Sequence, residues 1–379
     1  MTVTKNKKTK KWEVDISDGF SPINGERNRH RKTGFNTKKE AEDYEANFRT
    51  FELHQVSKRQ KISIEYLFSI VQHDDINNDK KMSYRITQER NYNRYLKTYF
   101  AKADMSKITY DDIIEFRNHL LSRKAKGGNG RALSKNTVNK QILLLKKILD
   151  VAIVKGLIYS NPCKNVRKLR IDKVDMKYYT LHEFSQFINC FDETDYPYKL
   201  IFSMLFYSGA RINELLSLTW NDVNFNFGYI DIHRSVFRLK GINYYDTPKT
   251  KAGIRKIYIH RKLLDELKIW QTKQFNILHE YTDNLMNLQI FQDCPEDIYK
   301  DRVQIKKTKI YEKHSHLKKI RIHDFRHSHA ALLINQGLDI FKIKERMGHE
   351  TVEITYNLYG HLYPDKQKEI ADLLNEISY

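Results

Sequence analysis

Apolar residues recur at intervals of three and four between Ile62 and Val166, with charged residues between them. This spacing gathers apolar side chains on one face of a helix, so the segment is predicted to be helical. Ser134 is placed to cap the last helix, which should end near Gly156. The four apolar stripes are Ile64, Leu67, Phe68 and Val71; Tyr92, Tyr95, Leu96 and Tyr99; Ile113, Ile114, Phe116, Leu120 and Leu121; and Val138, Ile142, Leu145, Ile148, Leu149 and Ile153. The pattern predicts an all-α domain of four helices over residues 62–166.

The first 58 residues contain shorter apolar segments that are typical of strands. Residues 12–16 and 29–34 are the predicted strands. A helix should follow them, because Thr37 is a suitable N-cap and Glu40, three positions later, completes a capping box. Residues 1–58 are therefore predicted to form a small ββ(β)α domain.

Residues 167–178 have no clear period and many charges, which is typical of a linker. Beyond them, Thr180 should cap a helix, and residues 200–207 are predicted to form a buried helix that ends at Ser208 and Gly209. Strand-like segments follow at residues 228–232, 235–239, 244–247 and 255–259. The rest of the chain is predicted to be helical to its end. We expect an α+β multidomain protein, in which residues 179–379 form a mainly α domain with a small antiparallel sheet.

The net charge of the chain adds a prediction about its binding partner. The 379 residues include 67 Lys and Arg against 47 Asp and Glu, a formal net charge of +20. Such an excess attracts a polyanion, and nucleic acid is the leading partner. An AT-rich coding sequence would also enrich lysine, but it does not explain the deficit of acids. The candidate DNA contacts in the two N-terminal domains are Arg29, Arg31, Lys32, Lys135, Lys140 and Lys147.

Composition also argues against two classes of protein. The chain has no run of about 18 apolar residues and no apolar core of a signal peptide near its lysine-rich N-terminus, so we expect a cytoplasmic protein without membrane contacts. Cys163, Cys190 and Cys294 are far apart and odd in number. They support neither a disulfide framework nor a zinc site built from cysteines.

The candidate chemistry begins at Arg211, which follows Ser208 and Gly209 at a break between two helices. A metal-free catalyst that attacks a phosphodiester must supply positive hydrogen-bond donors, and the planar fork of arginine can hold two phosphate oxygens at once. A helix N-terminus beside it would favour the same anion. Glu214 lies one turn further and could orient the arginine, although a surface Arg–Glu pair is the alternative.

The second candidate group lies at His323 and Arg326, which are three residues apart and hence on one face of a helix. His329 adds an imidazole, and His323 and His327 have the spacing of a metal-binding pair. Arg326 between them would oppose a cation, and no carboxylate base stands where a zinc hydrolase needs one. We therefore predict no metal here.

A third group combines His349, after a glycine at a helix end, with Tyr359 ten positions further. A phenol has a pKa near 10, so it needs cationic neighbours or a base to become a nucleophile at neutral pH. Tyr356 lies three residues before Tyr359 on nearly the same face and is a competing phenol.

Together these segments resemble the motifs of the tyrosine recombinases, the family of phage and mobile-element integrases and of chromosome-resolving recombinases. The family's order of an Arg motif, a His-x-x-Arg motif, a Gly-His and a downstream Tyr is matched over roughly the last 180 residues. Only Tyr359 has the Tyr-x-His setting. The sequence departs from the family's pattern at Phe325 and at His327-Ser328-His329, so the packing beneath the site should differ.

The resemblance implies a role for each matched residue. Arg211 and Arg326 would hold the scissile phosphate, and His349 would donate to it. His323 would accept or share the proton of Tyr359, which would form a 3′-phosphotyrosyl bond. The family requires no cofactor.

The family also uses a lysine in a strand turn as the acid that protonates the 5′-oxygen leaving group. Residues 248–253 contain two lysines, Lys249 and Lys251. The Lys-Thr pair favours Lys249, with Lys251 as the fallback. A solvated turn residue is the alternative for either.

The implied function is a site-specific recombinase of a mobile element or prophage, with integrase or excisionase activity. Its partners would be double-stranded DNA at core and arm sites, three further protomers in a tetramer, and a directionality factor or host DNA-bending protein, at the nucleoid. The stripe of Ile370, Leu373, Leu374 and Ile377 after Pro364 predicts a C-terminal helix that docks on a neighbouring protomer or packs on its own domain. A monomeric type IB topoisomerase and a non-catalytic DNA-binding accessory protein are the alternatives.

Overall fold

The computed structural model describes residues 3–6, 9–20, 27–47, 61–124, 132–172, 176–248, 250–363 and 374–375, with the main chain alone at residues 17–20, 27–30 and 47. The chain divides into two compact units, Met1–Asp172 and Lys173–Tyr379. Each unit is described below by itself.

The first unit begins with a three-stranded antiparallel sheet and one helix. The elements are β1 (Val3–Lys5), β2 (Trp12–Phe20), β3 (Arg27–Phe35) and α1 (Lys38–Asn47), and the strand order is β1-β2-β3. Val14, Ile16 and Ala41 are fully buried between the sheet and the helix. The predicted capping box is present, because Thr37 Oγ1 accepts from the Glu40 amide at 3.1 Å and Glu40 Oε2 accepts from the Thr37 amide at 3.4 Å. This confirms the small N-terminal sheet and helix.

The helical part of the first unit follows the predicted stripes. Its helices are α2 (Ile64–Asn77), α3 (Met82–Asn91), α4 (Lys97–Tyr99), α5 (Tyr110–Ser122) and α6 (Lys135–Val154). A single π-helical segment, Tyr92–Leu96, joins α3 to α4. Most stripe residues are buried together, but Ile153 is 37 % exposed, so the last stripe ends one turn earlier than predicted. Ser134 Oγ caps α6 by accepting from the Thr137 amide at 3.2 Å.

The second unit is mainly helical. Its helices are α7 (Leu181–Ile188), α8 (Tyr196–Ser208), α9 (Ile212–Leu215), α10 (Arg261–Leu278), α11 (Lys300–Lys313), α12 (Asp324–Asn335), α13 (Ile340–Met347) and α14 (Val352–Tyr359). Its strands are β4 (Val223–Asn224), β5 (Tyr229–Ile232), β6 (Ser235–Leu239), β7 (Ile242–Asp246) and β8 (Arg255–Tyr258). The predicted antiparallel sheet is present in two parts, a sheet of order β4-β5-β8 and a β6-β7 hairpin.

The prediction of helix from β8 to the chain end is wrong between α10 and α11, and again at residues 314–323 before α12. Residues 279–299 contain only one short 3-10 turn, Leu285–Asn287. Buried glutamines hold this segment in place, because Gln274 Nε2 donates to the carbonyl of Gln289 at 2.9 Å and Gln289 Nε2 donates to the carbonyl of Ile298 at 3.0 Å. These bonds satisfy main-chain groups that a helix would otherwise pair.

Two apolar clusters form the second unit's interior. The main cluster includes residues of α7, α8, α10 and α11 together with Phe325 of α12. A smaller cluster contains Ala330 and Ile334 of α12, Ile343 and Met347 of α13, and Tyr359 of α14. Helix α12 therefore contributes to both clusters.

Two expectations remain, one for a C-terminal helix and one for membrane-spanning segments. Pro364, Ile370, Leu373 and Ile377 of the predicted C-terminal helix lie outside the described residues. Within the described residues, no helix is both long and apolar enough to cross a bilayer.

Candidate active site

Arg211 is placed by a sharp turn between α8 and α9. Gly209 ends α8 with φ of +66°, and a Cβ there would lie 2.5 Å from the ring of His329, so both the backbone and the space require glycine. Arg211 is the N-cap residue of α9, as predicted, and its side chain is 42 % exposed. Arg211 Nη1 donates to Glu214 Oε1 at 2.7 Å. Glu214 therefore orients Arg211, and the remaining guanidinium donors stay accessible.

Arg326 is buried at the start of α12. Its Nη1 donates to the carbonyl of Gly209 at 2.7 Å, and its Nη2 donates to the carbonyl of Met347. Burial lowers the pKa of Arg326 to about 9, and the charge of Arg211 acts in the same direction. The guanidinium is therefore still charged at neutral pH.

Arg255, at the start of β8, is a buried residue beside the site that the sequence analysis did not single out. Its Nη2 donates to Glu214 Oε2 at 3.1 Å, so one buried carboxylate serves both Arg211 and Arg255. The two arginines lower the pKa of Glu214 against the opposing effect of burial. A signal was present in the sequence: alternation along β8 places Arg255 on the same face as Ile257, which is buried.

His349 follows α13, which ends at Gly348 with φ of +63°. Its Nδ1 lies 2.9 Å from Thr355 Oγ1. Burial, together with the charges of Arg326 and Arg211, lowers the pKa of His349 to about 3. The imidazole is therefore neutral, and the ring stacks near that of Tyr359, with centroids 6.4 Å apart.

Tyr359 is 1 % exposed at the end of α14, whereas Tyr356 is 65 % exposed. Burial raises the pKa of Tyr359 to about 12, while Arg326 and Arg211 act to lower it. Tyr359 Oη lies 2.9 Å from His327 Nδ1. Burial, assisted by His323, lowers the pKa of His327 to about 4, so the phenol and the imidazole are both neutral at pH 7.

The contact between Tyr359 and His327 differs from the expectation for His323. His323 lies beside His327, with ring centroids 5.0 Å apart, and burial followed by the charge of Arg326 lowers its pKa. The two histidines are four residues apart, so a helical turn brings them together, but only a tertiary contact could show which one reaches the phenol.

The departures from the family's pattern fill the space beneath the site. Phe325 is fully buried in the main cluster. Ser328 Oγ accepts from the amide of Tyr179 at 2.8 Å. His329 Nδ1–H donates to the carbonyl of Phe206 at 2.8 Å, and its Nε2 accepts from Arg346 Nε at 2.9 Å. His329 is therefore a packing residue with a fixed tautomer.

The turn between β7 and β8 carries the two candidate lysines. Lys249 lies outside the described residues. Lys251 is exposed and begins a 3-10 turn, Lys251–Gly253. Ala252 in this turn lies against Gly348, since a Cβ on Gly348 would be 2.8 Å from the Ala252 carbonyl oxygen. The turn therefore packs against Gly348, the residue that precedes His349 in the chain.

The six candidate DNA contacts have different surroundings. The Arg29 side chain lies outside the described residues, and Lys140 is exposed. Arg31 Nη2 lies 2.8 Å from Asp15, Lys32 lies 4.2 Å from the ring centre of Tyr44, and Lys135 lies 3.6 Å from Asp172. Lys147 Nζ is 2.6 Å from the buried Asp75 carboxylate, so it joins α6 to α2, and its role as a DNA contact stays a prediction.

Three family models match successive parts of the chain. The model of the phage integrase family matches residues 177–366, that of an arm DNA-binding domain matches residues 2–50, and that of a phage integrase SAM-like domain matches residues 64–171. The ICEBs1 integrase of Bacillus subtilis (strain 168) is 38 % identical over 372 residues, which cover 97 % of each chain. The prophage integrase IntR of Escherichia coli (strain K12) is 25 % identical over 72 % of this chain and 69 % of its own.

Solved structures share the fold. The Tn1549 transposon integrase, in complex with transposon right end DNA, has a TM-score of 0.66 and 20 % identity over 84 % of this chain and all of its own. The lambda integrase tetramer bound to a Holliday junction has a TM-score of 0.58 and 14 % identity over 97 % of this chain and 95 % of its own. From the family match and the 38 % identity along nearly the whole chain, the protein belongs to the phage integrase family of tyrosine recombinases.

Proposed function

We propose that this integrase cuts and rejoins DNA through a covalent bond between Tyr359 and a 3′-phosphate. One observation carries the proposal: two arginines and a neutral histidine surround a buried phenol, and the charges of Arg326 and Arg211 both act on its pKa. Such a cluster is suited to a phosphate, whose negative oxygens need fixed positive donors. Recombination needs no external energy source, because the phosphotyrosyl ester keeps the free energy of the broken phosphodiester bond.

The phosphate would be held by donors that are free of other bonds. A guanidinium has five N–H groups, and Arg326 directs one each to Gly209 and Met347, so that three have no hydrogen-bond partner among the described residues. Arg211 is held by Glu214 and remains accessible. If Thr355 donates to His349 Nδ1, the Nε2–H of the neutral imidazole is available to a phosphate oxygen.

In the reaction, Tyr359 Oη attacks phosphorus, the new O–P bond replaces the bond to the 5′-oxygen, and that oxygen leaves. We assign the phenolic proton to His327 Nδ1, which the hydroxyl already faces, with His323 as the neighbouring imidazole. Lys249 or Lys251 supplies a proton to the 5′-oxygen. Rejoining reverses these transfers, with a 5′-hydroxyl attacking the phosphotyrosine.

The partners follow from the relatives. The structural relatives are bound to transposon-end DNA and, as a tetramer, to a Holliday junction. We infer that this chain acts on double-stranded DNA of a mobile element, at core and arm sites, as a tetramer in the cytoplasm. Recruitment of a directionality factor or a DNA-bending protein belongs to the same proposal.

A nicked half-site DNA that loses its 5′-hydroxyl strand on cleavage tests the proposal, because the covalent adduct then accumulates. Wild type should give a protein–DNA adduct that survives denaturing electrophoresis, and Tyr359→Phe should give none. Tyr356→Phe is the matched control and should retain the adduct, since that ring is exposed. An absent wild-type adduct, or one that persists in Tyr359→Phe, refutes the assignment.

A further inference from the structure

Arg255 lies where three segments of the site meet. Its Nη2 donates to Glu214 at 3.1 Å, its Nη1 donates to the carbonyl of Gly253 at 2.8 Å, and its Nε donates to the carbonyl of Arg346 at 2.9 Å. Glu214 belongs to α9, Gly253 to the lysine turn, and Arg346 to the end of α13. One side chain therefore connects three segments that are distant in sequence.

Each of these connections ends beside a group of the proposed mechanism. Glu214 also holds Arg211, at 2.7 Å. Gly253 closes the turn that carries Lys251, and Arg346 is three residues before His349. A change at Arg255 would thus shift an arginine, a lysine turn and a histidine relative to one another.

The junction has little room for adjustment. A Cβ on Gly348 would lie 2.8 Å from the Ala252 carbonyl oxygen and 3.0 Å from Arg255 Nη1. The Arg255 side chain is 8 % exposed, so water cannot readily replace its bonds. Arg255 donates from three separate nitrogens of its planar guanidinium. A lysine has a single side-chain nitrogen, so it cannot replace all three bonds.

We propose that Arg255 is a positioning residue that sets the lysine turn against Arg211 and His349, so that the acid reaches the leaving oxygen while the phosphate is held. It is buried by its own domain and is not itself required to touch DNA. The inference rests on the proposed covalent mechanism.

The test compares two half-site substrates that differ in one atom. One has the normal 5′-oxygen at the scissile phosphate, and the other has a 5′-bridging sulfur, which leaves as a thiolate and needs no proton. Single-turnover rate constants for adduct formation are measured with saturating enzyme. For Arg255→Lys we expect a decrease of about 100-fold on the oxygen substrate, the scale of a misplacement of about 1 Å, and a sulfur-to-oxygen rate ratio at least about tenfold above that of wild type.

Arg346→Lys is the matched control. Arg346 is a half-buried arginine that donates to His329 and to the carbonyls of Tyr207 and Tyr258. In the described residues its side chain does not bond to Glu214 or to the lysine turn. Its variant should keep the wild-type sulfur-to-oxygen ratio. DNA affinity should be unchanged in Arg255→Lys, because the residue acts on the rate and not on binding.

The outcomes are separable. The ratio compares two substrates with one protein preparation, so a smaller folded fraction does not alter it, and Arg255→Gln provides a second variant. A wild-type ratio in Arg255→Lys and Arg255→Gln overturns the positioning role. If wild type itself forms no adduct on either substrate, it is the covalent mechanism that fails.

Discussion

Buried charge is treated differently in the two units. In the first, Lys147 and Asp75 form a one-to-one ion pair 2.6 Å long between two helices. In the second, Arg211 and Arg255 share Glu214, while Arg326 donates to main-chain carbonyls. A paired charge holds helices together, whereas an excess of buried positive charge is costly unless an anion completes it. The comparison separates a residue that joins two helices from a cluster in which we propose that Arg211 and Arg326 hold a phosphate.

Among these predictions, removal of Arg326 should give the largest change, a decrease in the rate of adduct formation. Arg326→Met deletes donors aimed at the phosphate, so we expect the rate of adduct formation to fall by about 10²–10³-fold. The free energy of unfolding should change by less than about 1 kcal/mol, because the relief of a buried charge offsets two carbonyls that lose their donors. Single-turnover cleavage and urea unfolding measure the two quantities. A large loss of stability would make Arg326 an ordinary structural arginine.

Lys147→Met should have the opposite profile. It leaves Asp75 buried without its cation, and we expect a loss of about 2 kcal/mol of unfolding free energy, less than for a fully buried pair because Lys147 is partly exposed. The cleavage rate of the folded protein should be unchanged. Lys140→Met on the same helix is the control: it should change stability by less than about 0.5 kcal/mol and weaken DNA binding. Equal stability losses would contradict the structural role of Lys147.

Acid should destabilise the second unit through its neutral imidazoles. The pKa values of His327, His329 and His349 are lowered to about 4, 3 and 3, chiefly by burial. Between the ordinary histidine value of about 6.5 and these values, the unfolded chain binds more protons than the native one. Stability is therefore complete above pH 6.5 and decreases as the pH falls, by up to about 1.4 kcal/mol per pH unit for each imidazole.

Urea unfolding at pH 7, 6 and 5 measures this dependence. His329→Gln should reduce the slope, since it removes one of the buried imidazoles whose pKa is lowered, a set that also includes His323. Stability that is constant from pH 7 to 5 would show that these rings bind protons as readily in the native state as in the unfolded chain.

The helices were predictable because their signals are local. The stripe from Val138 to Leu149 and the caps at Ser134 and Thr180 depend on residues three or four apart. The irregular segment 279–299 was not predictable, because side chains such as Gln274 hold it through bonds to distant carbonyls. The split of the strands into a sheet and a hairpin likewise depends on pairing, such as that of Ile230 with Ile257.

The site residues also divide into those that motif order predicts and those whose contacts depend on the tertiary fold. Motif order was enough to identify Arg211, Arg326, His349 and Tyr359, which the fold brings into one electrostatic environment. The contact of His327 with the phenol and the three bonds of Arg255 are tertiary, so spacing along the chain does not contain them. The sequence singled out the proposed reacting groups and Glu214, which orients Arg211, but not the contacts that His327 and Arg255 make.

The smaller apolar cluster has a consequence for motion. Tyr359 is anchored there with Ile343 and Met347, whereas α12 is also anchored in the main cluster through Phe325. Regions with little buried apolar surface open first, as separate cooperative units. Helix α14 can therefore undergo local opening while α12 keeps Arg326 in place. We therefore expect the segment with Tyr359, the proposed nucleophile, to open more readily than the helix with Arg326.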